Sequence, residues 1–232
     1  MIRRITLGAC LLLVSLASLG QGSVIVANSP ITIFRTNDGF NGGAARSAIG
    51  PWYYEVLTAP STVTSVDLSL QQLLSAPWSD TGLMASNTGL AGRMAAGGST
   101  VNFWPAGQTN SFIIVGWSAN EGSSWSTVAA RLQGAFGFPT GGFAGGNLLY
   151  GGFLGATTVG FRQAGGVVGA NTIPTPGLFG AAVDTQGQPI TTPTDLWFIT
   201  PEPSGVTLIG IGIATLMFRC RRNKQSPVSQ EF

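Results

Sequence analysis

The sequence predicts an all-β fold, an antiparallel β-sandwich or jelly roll with a barrel as the second choice, and three observations carry that prediction. The 232 residues include 34 glycines and 13 prolines, which divide a chain into turns and leave few stretches fit for a long helix. Short runs of β-branched and aromatic residues recur between these breakers, and some alternate apolar and polar residues with period two. The hydrophobic share is 44% against 9% charged, enough apolar material for one core of ordinary domain size. This body is expected over residues 21–199, flanked by an N-terminal signal peptide and a C-terminal single membrane-spanning helix.

Residues 1–20 read as an address. Arg3 and Arg4 form a positive start, an apolar stretch runs from Ile5 to about Leu19, and small residues follow, which is the order of a secretory signal peptide. Ser18 and Gly20 are small at the positions a signal peptidase reads, so the cut is expected after Gly20, with Gly22 close behind; an uncleaved anchor is the alternative. Leu7 to Cys10 has the letters of a lipoprotein box, but most of the apolar run follows Cys10 instead of preceding it, so Cys10 is read as filler.

Within the body, "SVIVAN" and "ITIF" are short strand-like runs, and "NDGFNGG" supplies turn chemistry around Asp38-Gly39. "PWYYEVL" and "TSVDLSL" follow, the second with Val66, Leu68 and Leu70 alternating against Asp67 and Ser69, as in a strand with one buried face. "NSFIIVGWS" is apolar without interruption and is the candidate central strand. "SSWSTVAARLQG" breaks the pattern: Ser123 or Ser124 can cap a short rim helix from Trp125 to Gln133, stopped by Gly134. From Ala135 glycine alternates with Phe, Leu and Tyr without a strict period, and Leu178–Val183 and Leu196–Ile199 are the expected last strands.

Residues 200–224 are the second address. Pro201 and Pro203 lack amide donors and set where a helix can begin. Ser204 to Phe218 carries no charge and as a helix measures about 22 Å, short of a bilayer core of about 30 Å but within what thinning and snorkelling flanks accommodate. Arg219, Arg221, Arg222 and Lys224 then stop transfer on the cytoplasmic side, leaving residues 225–232 as a cytoplasmic tail and the body outside. A buried core helix is the bland alternative, and four cations at its end argue against it.

Pro201-Glu202-Pro203, the short Gly/Ile/Leu span and the basic cluster together resemble the PEP-CTERM sorting signal of exported bacterial proteins. The resemblance covers residues 200 to 224 and implies an exosortase as partner, with Pro201, Glu202 and Pro203 as the recognised motif. It further implies an inner-membrane stage followed by the cell surface or the exopolysaccharide matrix. The tail "NKQSPVSQEF" departs from the pattern, which ordinarily finishes soon after the arginines.

Charge and residue types narrow the chemistry. Six of the eleven cations lie at the two ends, and residues 21–200 hold five arginines and seven acids, a net charge of −2 that offers no basic stripe for nucleic acid. Both cysteines also lie outside the body, so no disulfide can form within it. The chain has no histidine, which removes His-based acid–base catalysis, Ser-His-Asp triads and most transition-metal sites. The body acids are scattered singly; Asn37, Asp38 and Asn41 are oxygen donors that fit a plain turn better than a cation site. Glu55 and Glu121 are the body's only glutamate pair for glycoside chemistry, and nothing in their spacing joins them. No phosphate-binding glycine motif is present, and no metal or cofactor is expected.

The aromatic residues Trp52, Tyr53, Tyr54, Trp78, Trp104, Trp117 and Trp125 remain, either as core or as a platform for sugar rings. Trp52, Tyr54 and Trp117 are the candidate stacking residues, with Trp52 and Tyr54 expected on one strand face. The expected role is therefore an exported, C-terminally anchored, non-catalytic surface or matrix protein, with a polysaccharide-binding module and a glycan-active enzyme as alternatives.

Overall fold

The computed structural model describes residues 20–39, 42–45, 51–66, 73, 77–137 and 143–200. The expected signal peptide up to residue 19, the Pro201-Glu202-Pro203 motif, the apolar run after it and the cationic cluster Arg219, Arg221, Arg222 and Lys224 lie outside the described residues.

The described chain is mostly β-strand with one α-helix, so the all-β class holds. In order, the strands are β1 (Gln21–Ala27), β2 (Phe34–Asn37), β3 (Gly42–Ala44), β4 (Trp52–Pro60), β5 (Ser79–Asn87), β6 (Met94–Pro105) and β7 (Thr109–Ser118). After helix α1 (Trp125–Leu132) come β8 (Ala135–Gly137), β9 (Phe143–Gly145), β10 (Phe153–Ala156), β11 (Gly160–Gln163), β12 (Gly166–Val168), β13 (Asn171–Ile173), β14 (Gly187–Gln188) and β15 (Thr194–Phe198). Eleven of these strands form one curled sheet with the path β1-β6-β5-β4-β7-β10-β15-β2-β3, while β11 joins β7 and β14 joins β11. Pairing is antiparallel except where β15 runs parallel to β2.

Strand β7 is the axis of the sheet. One of its edges pairs with β4 from Trp52–Ser118 to Pro60–Asn110. The other edge is shared: β10 runs beside Val115–Trp117 and β11 beside Thr109–Phe112. Between them Thr157 fills the gap, its amide donating to the Ile114 carbonyl and its hydroxyl accepting from the Ile114 amide, each at 3.0 Å. The fork therefore leaves no main-chain group of Ile114 unpaired, as a buried strand requires.

Curling brings distant strands into contact. Beyond β11, Gly165 exchanges two main-chain hydrogen bonds of 3.0 Å with Ser23 of β1, and Leu178 donates to the Ile25 carbonyl at 3.0 Å. Phe34 of β2 donates to the Gly92 carbonyl at 3.0 Å. Inside the curl sits one core, with Val24, Phe34, Trp52, Tyr54, Trp104 and Phe112 among its members. A second core lies on the outer face of β4 and β7, where Leu57, Ile113, Val115 and Trp117 are covered by Trp125, Val128 and Leu132 of α1. Alternate residues of β7 thus enter opposite cores, which is why its sequence is apolar throughout. Each fully buried aliphatic or Phe side chain here contributes about 1.5–3 kcal/mol.

Helix α1 begins as its sequence predicts, with the Ser124 hydroxyl accepting from the Thr127 amide at 3.4 Å, and it ends one residue before the predicted Gln133. It does not sit on a rim, because its Trp125–Val128–Leu132 stripe is buried against the sheet. Two other expectations are corrected. Thr64–Val66 form no strand, and Leu178–Val183 contributes only one isolated bridge, that of Phe179 with Ile190. Asp67–Leu70, the rest of the first of these runs, lies outside the described residues.

Candidate functional site

Of the aromatic residues singled out from the sequence, all but the half-buried Tyr53 are core. Trp52, Tyr54 and Trp117 are 0%, 1% and 0% exposed, so no ring face is open to a sugar. Trp52 and Tyr54 do share the inner face, where Tyr54 lies 4.6 Å from Phe34 and Trp52 lies 5.7 Å from Phe153. Trp117 points into the outer core, 6.0 Å from Trp125, and its indole N–H donates to the Gly122 carbonyl at 2.8 Å. Trp78, Trp104 and Trp125 are buried as well.

The two glutamates are separated by their surroundings. Glu55 of β4 is buried beside Asp80 of β5. A bulge creates that pairing: Glu55 faces Met84 but Leu57 faces Asp80, so β5 carries extra residues opposite Val56, and Gly82 takes the φ of +71° that the bulge requires. Burial, then the hydrogen bond and negative charge of Asp80, push the Glu55 carboxyl up to about 9, leaving it protonated at neutral pH. Glu121 is also fully buried, and both its oxygens accept from the Leu149 amide, at 3.0 and 3.2 Å, while Arg131 donates at 3.4 Å. Desolvation outweighs these partners and raises its pKa. Neither carboxyl group is placed to meet a substrate.

Asn37 and Asp38 form a turn, the Asn37 side chain accepting from the Gly39 amide at 2.9 Å; Asn41 lies outside the described residues. Among the described residues there is no group of three His, Cys, Asp or Glu side chains suited to a metal ion.

One cluster of polar residues at the surface belongs to β2 and β15. Their parallel register sets Arg35 beside Asp195 and Asn37 beside Trp197, so all four side chains share one face. Arg35 donates from Nε to Asp195 Oδ1 at 2.9 Å, with Nη2 also 2.9 Å away, and Asn37 Nδ2 donates to Oδ2 at 3.2 Å. The Arg35 and Asp195 side chains remain 44% and 26% exposed.

This cluster separates two hollows. The larger is a cleft of about 450 Å³ lined by Trp197, Asp195, Arg35, Thr64, Val66 and Thr158 among others, and the smaller, of about 250 Å³, lies over Asn37 and Gly43. Trp197 is half-buried, whereas the chain's other five tryptophans are buried, so it alone brings an indole to the surface. Among the described residues its Nε1–H has no acceptor. The sequence reading passed over it, although "TDLWF" carries the signal: alternation sets Asp195 and Trp197 on one face and the buried Leu196 on the other. Trp197 packs one side against the outer core and lines the cleft with what stays exposed, beside an acid already held by two donors.

Comparisons of the chain with protein-family models, with characterised proteins and with solved structures find no match. Among the described residues no helix is long and apolar enough to cross a membrane, and the run from Ser204 to Phe218 lies outside them.

Proposed function

We propose that this chain is an exported, non-catalytic surface or extracellular-matrix protein, anchored by its C-terminal apolar run and sorted by an exosortase at Pro201-Glu202-Pro203. The observation that carries the reading is the order of features from residue 200 onward: tripeptide, uncharged run and Arg219, Arg221, Arg222 and Lys224, with Arg3, Arg4 and an apolar run at the other end. The start of the body agrees with it. Strand β1 starts at Gln21, directly after the expected cut, and close ahead of the tripeptide Ile199 is still tied into the body, donating to Gly152 at 2.8 Å. We read the body as a compact sandwich or jelly-roll unit presented outside the membrane. Glu55 and Glu121, the body's only glutamate pair, are both buried.

Intact-mass analysis of the protein recovered from the envelope of the cells that make it tests both termini together. The expected species begins near Gln21 and lacks the residues after the Pro-Glu-Pro motif. Recovery of the complete chain from the cytosol overturns the reading.

A further inference from the structure

We propose that the cleft over Trp197 binds a neutral polysaccharide, with the Arg35–Asp195 pair lying under the chain between two sugar-sized hollows. Four observations converge on this ligand class. First, Trp197 is the one tryptophan of the six that is not buried, and it forms part of the cleft wall. A pyranose ring presents a face of C–H groups that buries well on an indole, while its rim of hydroxyls needs hydrogen-bonding groups beside the ring. Second, those groups are present. Arg35, Asn37 and Asp195 carry planar, fixed side chains, and Thr64 and Thr158 add hydroxyls that both donate and accept.

Third, the charge is balanced. Among the described residues Arg35 and Asp195 are the only ionisable side chains in the wall of either hollow, and they neutralise each other, so this pair offers an anionic ligand no net attraction. Fourth, the shape suits a chain. The two hollows, about 450 and 250 Å³, meet at Arg35 and Asp195 and are open to solvent, so successive sugar units can lie on either side of the ion pair. The larger falls within the ~300–1,000 Å³ range of small-molecule sites. The register of β15 and β2 holds the polar groups in place before any ligand arrives, which limits the ordering cost of binding.

The proposal extends the surface-protein reading by naming what the body holds. The two fail separately: a protein that is exported and trimmed yet binds no glycan sinks this proposal alone. The test is native electrophoresis of the full chain in mild detergent through gels containing hydroxyethyl cellulose, mannan or dextran, with alginate as the anionic comparison. At least one neutral polymer is expected to retard the protein, and Trp197→Ala to weaken retardation about tenfold, the size of one lost aromatic stacking contact.

Because Trp197 is half-buried, Arg35→Gln and Asn37→Ala serve as milder variants; each is expected to weaken retardation roughly threefold, a single hydrogen bond's worth. In the unmutated chain N-bromosuccinimide is expected to oxidise Trp197 first, and the retarding polymer to protect it. Failure of every neutral polymer to retard the protein, retardation by alginate alone, unchanged retardation in folded Trp197→Ala, or absence of protection each overturns the proposal.

Discussion

Glu55 makes the stability of the body depend on pH. Its carboxyl titrates at about 9 in the folded protein and at the ordinary value of 4.5 when exposed, so the folded state holds its proton more tightly. The stabilisation is complete below pH 4.5 and is lost as pH rises towards about 9, at no more than about 1.4 kcal/mol per pH unit. Denaturant unfolding at pH 5, 7 and 9 should therefore show falling stability, and Glu55→Gln should flatten the slope. Space is as decisive at Gly155, where an added Cβ would run into the Asp195 carbonyl oxygen and lie 3.1 Å from the Leu196 Cα. Both neighbours are main chain and cannot turn aside, so Gly155→Ala should cost about 1–3 kcal/mol in thermal or denaturant unfolding. At this scale the sequence was legible for residue type and mute on exposure: nothing in the letters "PWYYE" says that its rings face cores, whereas the alternation in "TDLWF" does mark the face that Trp197 shares with Asp195.

Elements were readable where one local rule dominates. The uninterrupted apolar run of β7 and the serine-capped start of α1 are both local signals, and both elements form over nearly the expected residues, although α1 packs on the sheet instead of on a rim. Ser124→Ala should lower stability by about 0.5–2 kcal/mol, because the Thr127 amide loses its acceptor; the shift in thermal midpoint measures it. Ile114 is buried at the fork of β7, so Ile114→Ala should cost about 2–5 kcal/mol by denaturant titration. Strands β5 and β6 escaped notice because glycine, alanine and serine fill many of their positions, and these residues carry little strand preference. Their pairing comes from tertiary partners: Thr81 and Leu83 are buried against β4, with the Thr81 hydroxyl donating to the Val56 carbonyl at 2.6 Å. The fork itself depends on Thr157, whose role only the assembled sheet reveals.

For the whole molecule, the curl was the least legible property. It is sealed by main-chain bonds such as Ser23 with Gly165 and Ile25 with Leu178, and side-chain periodicity carries no record of which distant backbone a strand edge will meet. Strand β1 takes part in both the path of the sheet and this seal, so a chain beginning at Asn28 should fail to fold, whereas one beginning at Gln21 should keep its near-ultraviolet circular dichroism and melting point. The same architecture governs how the body bears load. Strand β15 is the last strand before the tripeptide and is gripped on both sides, by β10 and by β2, with Ile199 fastened to Gly152 just beyond it. In a chain held by its C-terminal end, tension runs along β15 and the hydrogen bonds on its two edges lie across the pull. They must shear together instead of unzipping one after another, so a tethered body resists being dragged open from the side where it is moored.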